Sequence, residues 1–401
     1  MLIASEPRAT THGAFWGATL RDGAGLAQGV VTRPSFGPIN LWAKLRDSFL
    51  ALRQTGRRRS DRICVHRPWR RAALLAAALL AGCGAPPPPD WSLAIHGGAR
   101  NLAPGDYTVE ELAALRAELT AALAAGARVL DAGGASLDAV EAVLVVMEDS
   151  PWFNAGRGAV FTHDGKNELD ASIMDGHSGQ AGAVAGVTRV KNPIRLARRV
   201  MERTPHVLLA GAGAEAFAAE QGIELAEPSY FRTDRRWNEL QKKLEEEKAG
   251  QRSARQAHFG TVGAVALDKQ GRLAAATSTG GMTNKRHGRI GDSPIIGAGT
   301  FADTRCAVSA TGHGEYFIRF AVAHDICART RERGVAVGTA ARVVIHEVLK
   351  PAGGEGGVIT LDARGVAALE FNTSAMLRGA VQAGGVPRVA IGAEALAPAG
   401  G

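Results

Sequence analysis

Aromatic residues make up only 5% of this 401-residue chain, and there are four cysteines. No CxxC spacing and no HExxH occurs, which excludes the common zinc and thiol-redox motifs. Gly158 to Lys166 ends in Gly-Lys but lacks the spacing and the following Ser/Thr of a phosphate-binding loop. Gly211-Ala212-Gly213 opens a helix without the neighbours of a dinucleotide-binding turn, so it reads as close packing. The apolar run Ala72 to Ala81 is about half the ~20 residues a membrane-spanning helix needs. Charge excludes a further class. The net charge is +8, but residues 1–90 hold 13 Lys/Arg against 5 Asp/Glu, while the other 311 balance at 34 and 34. The globular part therefore offers no electrostatic case for a nucleic-acid partner.

The basic N-terminal part has its own layout. Arg67, Arg70 and Arg71 precede the apolar run, which closes on Leu80-Ala81-Gly82-Cys83. A basic flank, a short apolar segment and a small-residue cysteine site read as a bacterial lipoprotein signal over 65–83. Cys83 is then the lipidated mature N-terminus, and Pro86 to Pro89 stiffen a tether over 84–90. This predicts a lipid anchor in the cell envelope, facing the periplasm. The alternative is a short buried helix ahead of an unmodified cysteine. Residues 1–64 are Arg-rich and without periodicity, and read as a disordered or spurious extension ahead of a later translation start. Cys64, ahead of the signal, is lost with the leader. Cys306 and Cys327 either pair in an oxidising compartment or stay as buried thiols.

Beyond the tether, strands and helices alternate. Trp91 to His96 reads as a strand, and Val109 to Leu130 as a helix with Leu112, Leu115, Leu119 and Leu123 on one face. Ser136 to Met147 is a second helix with Ser136 as its N-cap. Ala183 to Val187 is a strand, and Pro193 to Glu202 a helix with Pro in its first turn. Trp237 to Lys248 is polar almost all round and reads as an exposed helix fraying into a flexible linker over 228–260. Two strands meet across Asp268 to Gly271, and Ala307 to Ala310 is another. Tyr316 to Arg329 and Val337 to Leu349 are helices. Val358 to Leu361 and Ala367 to Phe371 form a last hairpin, and Ala393 to Gly401 reads as a disordered tail. The pattern is a layered α/β arrangement.

One junction stands apart. Arg232 to His258 is charged and loop-like, whereas Thr261 to Asp268 reads TVGAVALD, a buried strand. Between them lie Gly260 and Thr261. A cut between them would give one residue both a hydroxyl nucleophile and an α-amine to activate it. Three blocks follow: ATSTGGMTNK (276–285), GRIGDSP (288–294) and TGHGE (311–315). Three more precede it: AIHGGA (94–99), FNAGRGAVFT (153–162) and ELDASIMDG (168–176). Over roughly 91–379, these blocks resemble the plant-type asparaginase and isoaspartyl peptidase family of N-terminal-nucleophile hydrolases.

The resemblance implies a four-layer αββα sandwich, self-cleaved into an α subunit (91–260) and a β subunit (261–401) that begins with the nucleophile. It implies hydrolysis of β-aspartyl dipeptides and of L-asparagine through a Thr261 acyl-enzyme, without a catalytic cofactor. Thr279 would tune the new amine, and the Thr311 hydroxyl and Gly312 amide would hold the oxyanion. Arg289 and Asp292 would grip the substrate's α-carboxylate and ammonium, with the carbonyls of Gly312 and Gly314 touching the ammonium. Asn154 would support the nucleophile. The stretch 147–157 matches a loop that binds structural sodium through the backbone of Met147, Glu148, Ser150, Phe153, Ala155 and Arg157. Dimers of αβ units are the family's assembly. Two positions depart from the family pattern: Arg100 in place of the last Gly of HGGAG, and Ala375 in place of the Gly of FNTxGM. Both put loop conformation in doubt rather than mechanism. Two other readings remain: the sister glycosylasparaginase activity, and an uncleaved lipoprotein that keeps the fold as a binding module.

Overall fold

The computed structural model describes residues 88–103, 105–250 and 260–398. The extension, the lipoprotein signal, the start of the tether and the segment just before Gly260 lie outside the described residues.

In chain order the strands are β1 (Ser92–Arg100), β2 (Leu169–Asp175), β3 (Ala181–Val187), β4 (Leu208–Ala210), β5 (Val262–Leu267), β6 (Leu273–Thr279), β7 (Thr300–Ala302), β8 (Cys306–Gly312), β9 (Gly356–Asp362), β10 (Ala367–Phe371), β11 (Ala375–Gln382), β12 (Arg388–Ala390) and β13 (Ala397–Pro398). The helices are α1 (Val109–Asp131), α2 (Ser136–Asp149), α3 (Pro193–Arg203), α4 (Gly211–Glu220), α5 (Asp234–Lys248), α6 (Gly314–Arg319), α7 (Val322–Arg333) and α8 (Val337–Arg342), the last running on into a wider π turn at Val343–Leu349. One sheet has nine strands, ordered β13-β12-β11-β1-β5-β6-β2-β3-β4, and a second has four, ordered β10-β9-β8-β7.

Alternate residues of a strand face opposite sides, and β5 shows what lies on each. Val262, Ala264 and Ala266 join Leu115, Leu119 and Val143 of α1 and α2. Val265 and Leu267 turn the other way, onto Ala307, Ile359 and Leu361 of the small sheet. The far face of that sheet packs Val308, Ala310 and Val358 against Ile326 of α7 and Val344 beyond α8. The architecture is thus αββα. Much of the inter-sheet layer is alanine (Ala94, Ala275, Ala302, Ala307), which suits closely stacked sheets and a chain poor in aromatics.

Several expectations need correction. The N-cap of α2 is Ala135, without a side-chain bond. The amide of Ser136 is satisfied instead by Asp268 Oδ2, 3.0 Å away across the fold. Tyr316 to Arg329 is not one helix. Ala321 takes a left-handed φ of +46°, and the amides of Ala323 and His324 bond to the carbonyls of Ala298 and Gly297, so a loop interrupts the helical ladder. The β9–β10 hairpin is not the last one. β11 follows and pairs with β1 in the centre of the large sheet, and the tail contributes β13 on its edge. Helix α5 is less exposed than its polarity suggests: Arg236 and Leu240 are buried, and Trp237 meets Phe161 edge to face. Arg100 and Ala375 are not loop residues. They are cross-strand partners in the β1–β11 pair. Cys306 and Cys327 form a disulfide that ties β8 to α7.

Candidate active site

The strand order brings the selected residues to one end of the sandwich. Thr261 enters β5, and β6 runs antiparallel to it, so Thr279 at the end of β6 lies alongside. The Thr261 hydroxyl donates to Thr279 Oγ1 at 3.3 Å, and the Gly281 amide donates to the same oxygen at 3.0 Å. β1 is also antiparallel to β5, so its C-terminal end comes to the same edge. From there the Ala99 amide donates to Thr311 Oγ1 of β8, in the second sheet, at 3.2 Å. That bond occupies a lone pair on Thr311 and leaves its hydroxyl proton free to point at a ligand.

The start of β5 is held by a buried imidazole. His96 Nδ1 lies 3.1 Å from the Thr261 carbonyl and Nε2 lies 3.0 Å from Ser309 Oγ. Burial pushes its pKa down to about 3, so the ring is neutral. A carbonyl only accepts, so Nδ1 carries the proton and Nε2 accepts from Ser309. Ser309 in turn meets Thr277 Oγ1 at 2.7 Å, and Thr277, Thr300 and Ser172 continue the polar seam between the sheets. Gly263 sits in this seam.

Asn154 packs directly on the junction. A Cβ built on Gly260 would lie 3.0 Å from the Asn154 Cβ. Its amide donates to the Gly281 carbonyl at 2.7 Å and its side-chain oxygen accepts from Val160 at 2.9 Å, so it ties the 154–160 loop to the end of β6. Glu148, from the preceding helix, is fully buried and accepts from Ser278 at 2.6 Å and from the Ile194 amide at 3.1 Å. Burial outweighs these bonds and raises its pKa to about 8.

The loop matched to sodium folds tightly. A Cβ on Gly156 would sit 2.2 Å from the Glu148 carbonyl oxygen, and one on Gly158 2.0 Å from that of Phe153. Only glycine allows the chain to close on these carbonyls. A cation there would be held through the carbonyls of Met147, Glu148, Ser150, Phe153, Ala155 and Arg157, of which that of Ala155 already accepts from the Gly158 amide at 3.1 Å. Such an ion would brace the loop and carry no chemistry.

Arg289 and Asp292 converge on one glycine. A Cβ on Gly314 would lie 2.8 Å from Arg289 Nη2 and 2.9 Å from Asp292 Oδ1. Arg289 is also gripped by Glu315 through two bonds, of 2.9 and 3.0 Å, so it is aimed before any ligand arrives. Asp292 is buried and its Oδ2 has no hydrogen-bond partner. Burial raises its pKa to about 7, against the pull of Arg289. Gly312 is glycine for packing reasons: a Cβ there would meet the Glu355 carbonyl at 2.5 Å and the Phe317 ring at 2.7 Å.

A threonine at the mouth of a core strand, a cation and a buried carboxylate facing one glycine, and a threonine hydroxyl thus share one end of the sandwich. The asparaginase family profile matches residues 89–391. The chain belongs to the asparaginase family. It is 45% identical to the isoaspartyl peptidase of Escherichia coli K12 over 305 residues, 75% of this chain and 95% of that protein. It is 43% identical to the isoaspartyl peptidase/L-asparaginase of Rattus norvegicus over 295 residues, 72% and 86% of the two chains. A probable isoaspartyl peptidase/L-asparaginase 2 of Arabidopsis thaliana is 39% identical over 325 residues, 75% and 98%.

Within this asparaginase-family site, sequence reading passed over several residues. His96 lies inside AIHGGA and Thr277 inside ATSTGG, but nothing in one sequence says that Ser309 joins them. Asp170 of β2 is the cross-strand partner of Thr279. It accepts from the Gly186 amide, and burial raises its pKa despite the charges of Lys285 and Arg289. An Asp in a strand has no local signature of such a role.

Proposed function

We propose that the protein is a self-cleaving N-terminal threonine hydrolase that acts on β-aspartyl dipeptides and L-asparagine. The observation that carries this is the buried Thr261 hydroxyl at the entry of β5, placed against Thr279 directly after Gly260. In the intact chain the Thr261 nitrogen belongs to a peptide bond and has no basicity. The hydroxyl attacks the Gly260 carbonyl, the acyl group moves from nitrogen to oxygen, and water hydrolyses the ester. Thr261 then carries an α-amine with a reference pKa of about 7.7–8.0, near the optimum for a general base.

In turnover the same hydroxyl attacks the substrate's side-chain carbonyl and passes its proton to the amine. The Thr311 hydroxyl and the Gly312 amide stabilise the oxyanion, a contribution of about 10²–10³ in rate per donor. The amine returns the proton to the leaving nitrogen, so ammonia or an amino acid departs, and water releases aspartate from the ester. Arg289 takes the α-carboxylate and Asp292 the ammonium, with backbone carbonyls of Gly312 and Gly314 beside it. Supplied with a β-aspartyl dipeptide, asparagine and a glycoasparagine, the cleaved protein is expected to hydrolyse the first two. Preferential hydrolysis of the glycoasparagine would move the assignment to the sister amidase.

Asp292 gives this reading a pH signature. An ammonium only donates, so Asp292 must be ionised to bind it. With its pKa raised to about 7, the binding form is lost as pH falls below 7. The Thr261 amine must also be neutral, and it gains a proton below about 8. Both demands run the same way, so log kcat/KM should fall with a slope approaching two below pH 7. Asp292→Asn should raise KM and reduce that slope to one. An unchanged slope would remove Asp292 from substrate binding.

The same reading includes a lipid anchor at Cys83, a periplasmic location and an assembly of two αβ units. The signal-like pattern over 65–83 supports the anchor. The Cys306–Cys327 disulfide suits an oxidising compartment. No helix among the described residues is long and apolar enough to cross a membrane.

A further inference from the structure

Arg100 closes β1 and is 4% exposed, yet it forms no ion pair among the described residues, and its Nε has no hydrogen-bond partner. The guanidinium lies 5.4 Å from the Tyr107 ring centre, at a cavity of about 300 Å³ shared with Asp106, Glu111, Arg235 and Glu239. The acids there hold other partners, and Glu239 also acts on Arg100 through its charge. Glu111 and Glu239 flank Arg235, Glu239 also holds Arg236 at 2.9 Å, and Asp106 accepts from the Ala103 amide. Nη1 of Arg235 and Nη2 of Arg236 are likewise buried without hydrogen-bond partners. Burial lowers the Arg100 pKa, the charges of Arg236 and Arg235 lower it further, and Tyr107 and the Glu239 carboxylate offset this only in part. A buried guanidinium beside two others is short of an anion.

Its position says which anion. A Cβ built on Gly260 would lie 3.9 Å from Arg100 Nη2. The preceding residue, Ala99, donates its amide to Thr311, the oxyanion donor. The cation therefore stands beside Gly260, on the acyl side of the bond that reacts.

We propose that Arg100 is an α-carboxylate site beside the nucleophile, on the Gly260 side; this rests on the self-cleavage reading above. Two carboxylates have the right chemistry. One is the free α-carboxylate of the residue that leaves a β-aspartyl dipeptide, a group that asparagine lacks. The other is the carboxylate created at Gly260 when water hydrolyses the ester: the acyl carbon keeps the water oxygen, Thr261 keeps its hydroxyl, and the nitrogen leaves as an amine.

Arg100→Met removes the charge at similar length, and Arg100→Lys restores it. Wild type and both variants are first checked for cleavage by intact mass. Each is then assayed with a β-aspartyl dipeptide, its C-terminal amide and asparagine. In parallel, protein carrying ¹³C-carbonyl glycine is titrated by NMR. After cleavage Gly260 carries a free glycine carboxylate, and a short unstructured peptide ending in labelled glycine serves as the reference. If the dipeptide is the source, Arg100→Met raises its KM about tenfold or more, leaves the amide and asparagine unchanged, and Arg100→Lys recovers part of the loss. If the subunit terminus is the source, Gly260 titrates below the reference peptide in wild type and moves up to it in Arg100→Met, with all substrate constants unchanged. A cut, active wild type in which neither readout responds overturns this inference alone. An uncut wild type overturns the self-cleavage reading, and this inference with it.

Discussion

Replacing Thr261 with alanine leaves the chain in one piece and removes turnover of dipeptide and asparagine alike, by roughly 10⁶-fold. The size of the effect follows from the double use of one residue. Without the hydroxyl nothing attacks the Gly260 carbonyl, so the amine is never released, and nucleophile and base are lost together. The fold should survive. Among the described residues the side chain makes one hydrogen bond, to Thr279, whose loss costs about 1 kcal/mol. Thr261→Ser is the control: it keeps hydroxyl and amine, and should cut and turn over at a reduced rate. Residual turnover of the alanine variant above 1% of wild type, with folded protein, would mean that another group is the nucleophile.

Adding a single methyl group at Gly263 should do comparable damage by a different route. In Gly263→Ala the new carbon would lie 2.0 Å from Ser309 Oγ and 2.3 Å from His96 Nε2. Neither side chain has room to yield. His96 is buried and bridges Ser309 to the Thr261 carbonyl, and sheets close on both sides. Forcing the sheets apart costs roughly 3 kcal/mol or more, which corresponds to a fall in Tm of order 5–10 °C. Displacing His96 also releases the Thr261 carbonyl, so cleavage should slow sharply even below the melting temperature. Wild-type Tm and wild-type cleavage in this variant would show that the seam does not position the nucleophile.

These two glycine and threonine positions also show what was legible in the sequence. TVGAVALD announced a buried strand because both of its faces are covered, and the Leu115-Leu119-Leu123 face of α1 announced the helix that covers one of them. Thr261, Thr279, Thr311, Arg289 and Asp292 were singled out through short blocks that resemble a known family. What was not legible depends on contacts between distant residues. The interruption at Ala321 is caused by carbonyls of Gly297 and Ala298, and the cap of α2 is supplied by Asp268, so local pattern pointed to a longer helix and a serine cap. β11 reads as an unremarkable apolar stretch until β1 is beside it. Arg100 and Ala375 looked like two separate loop changes because nothing in one chain reveals that they pair across β1 and β11. The grip of Glu315 on Arg289 was missed for the same reason.

The central claim is that Thr261 becomes an N-terminus. Intact-mass spectrometry of purified, aged wild-type protein beside Thr261→Ala tests it most directly. Two fragments whose masses meet between Gly260 and Thr261 are expected in wild type, and a single chain in the variant. A wild-type chain that stays whole under every condition, yet hydrolyses β-aspartyl dipeptides, would contradict it.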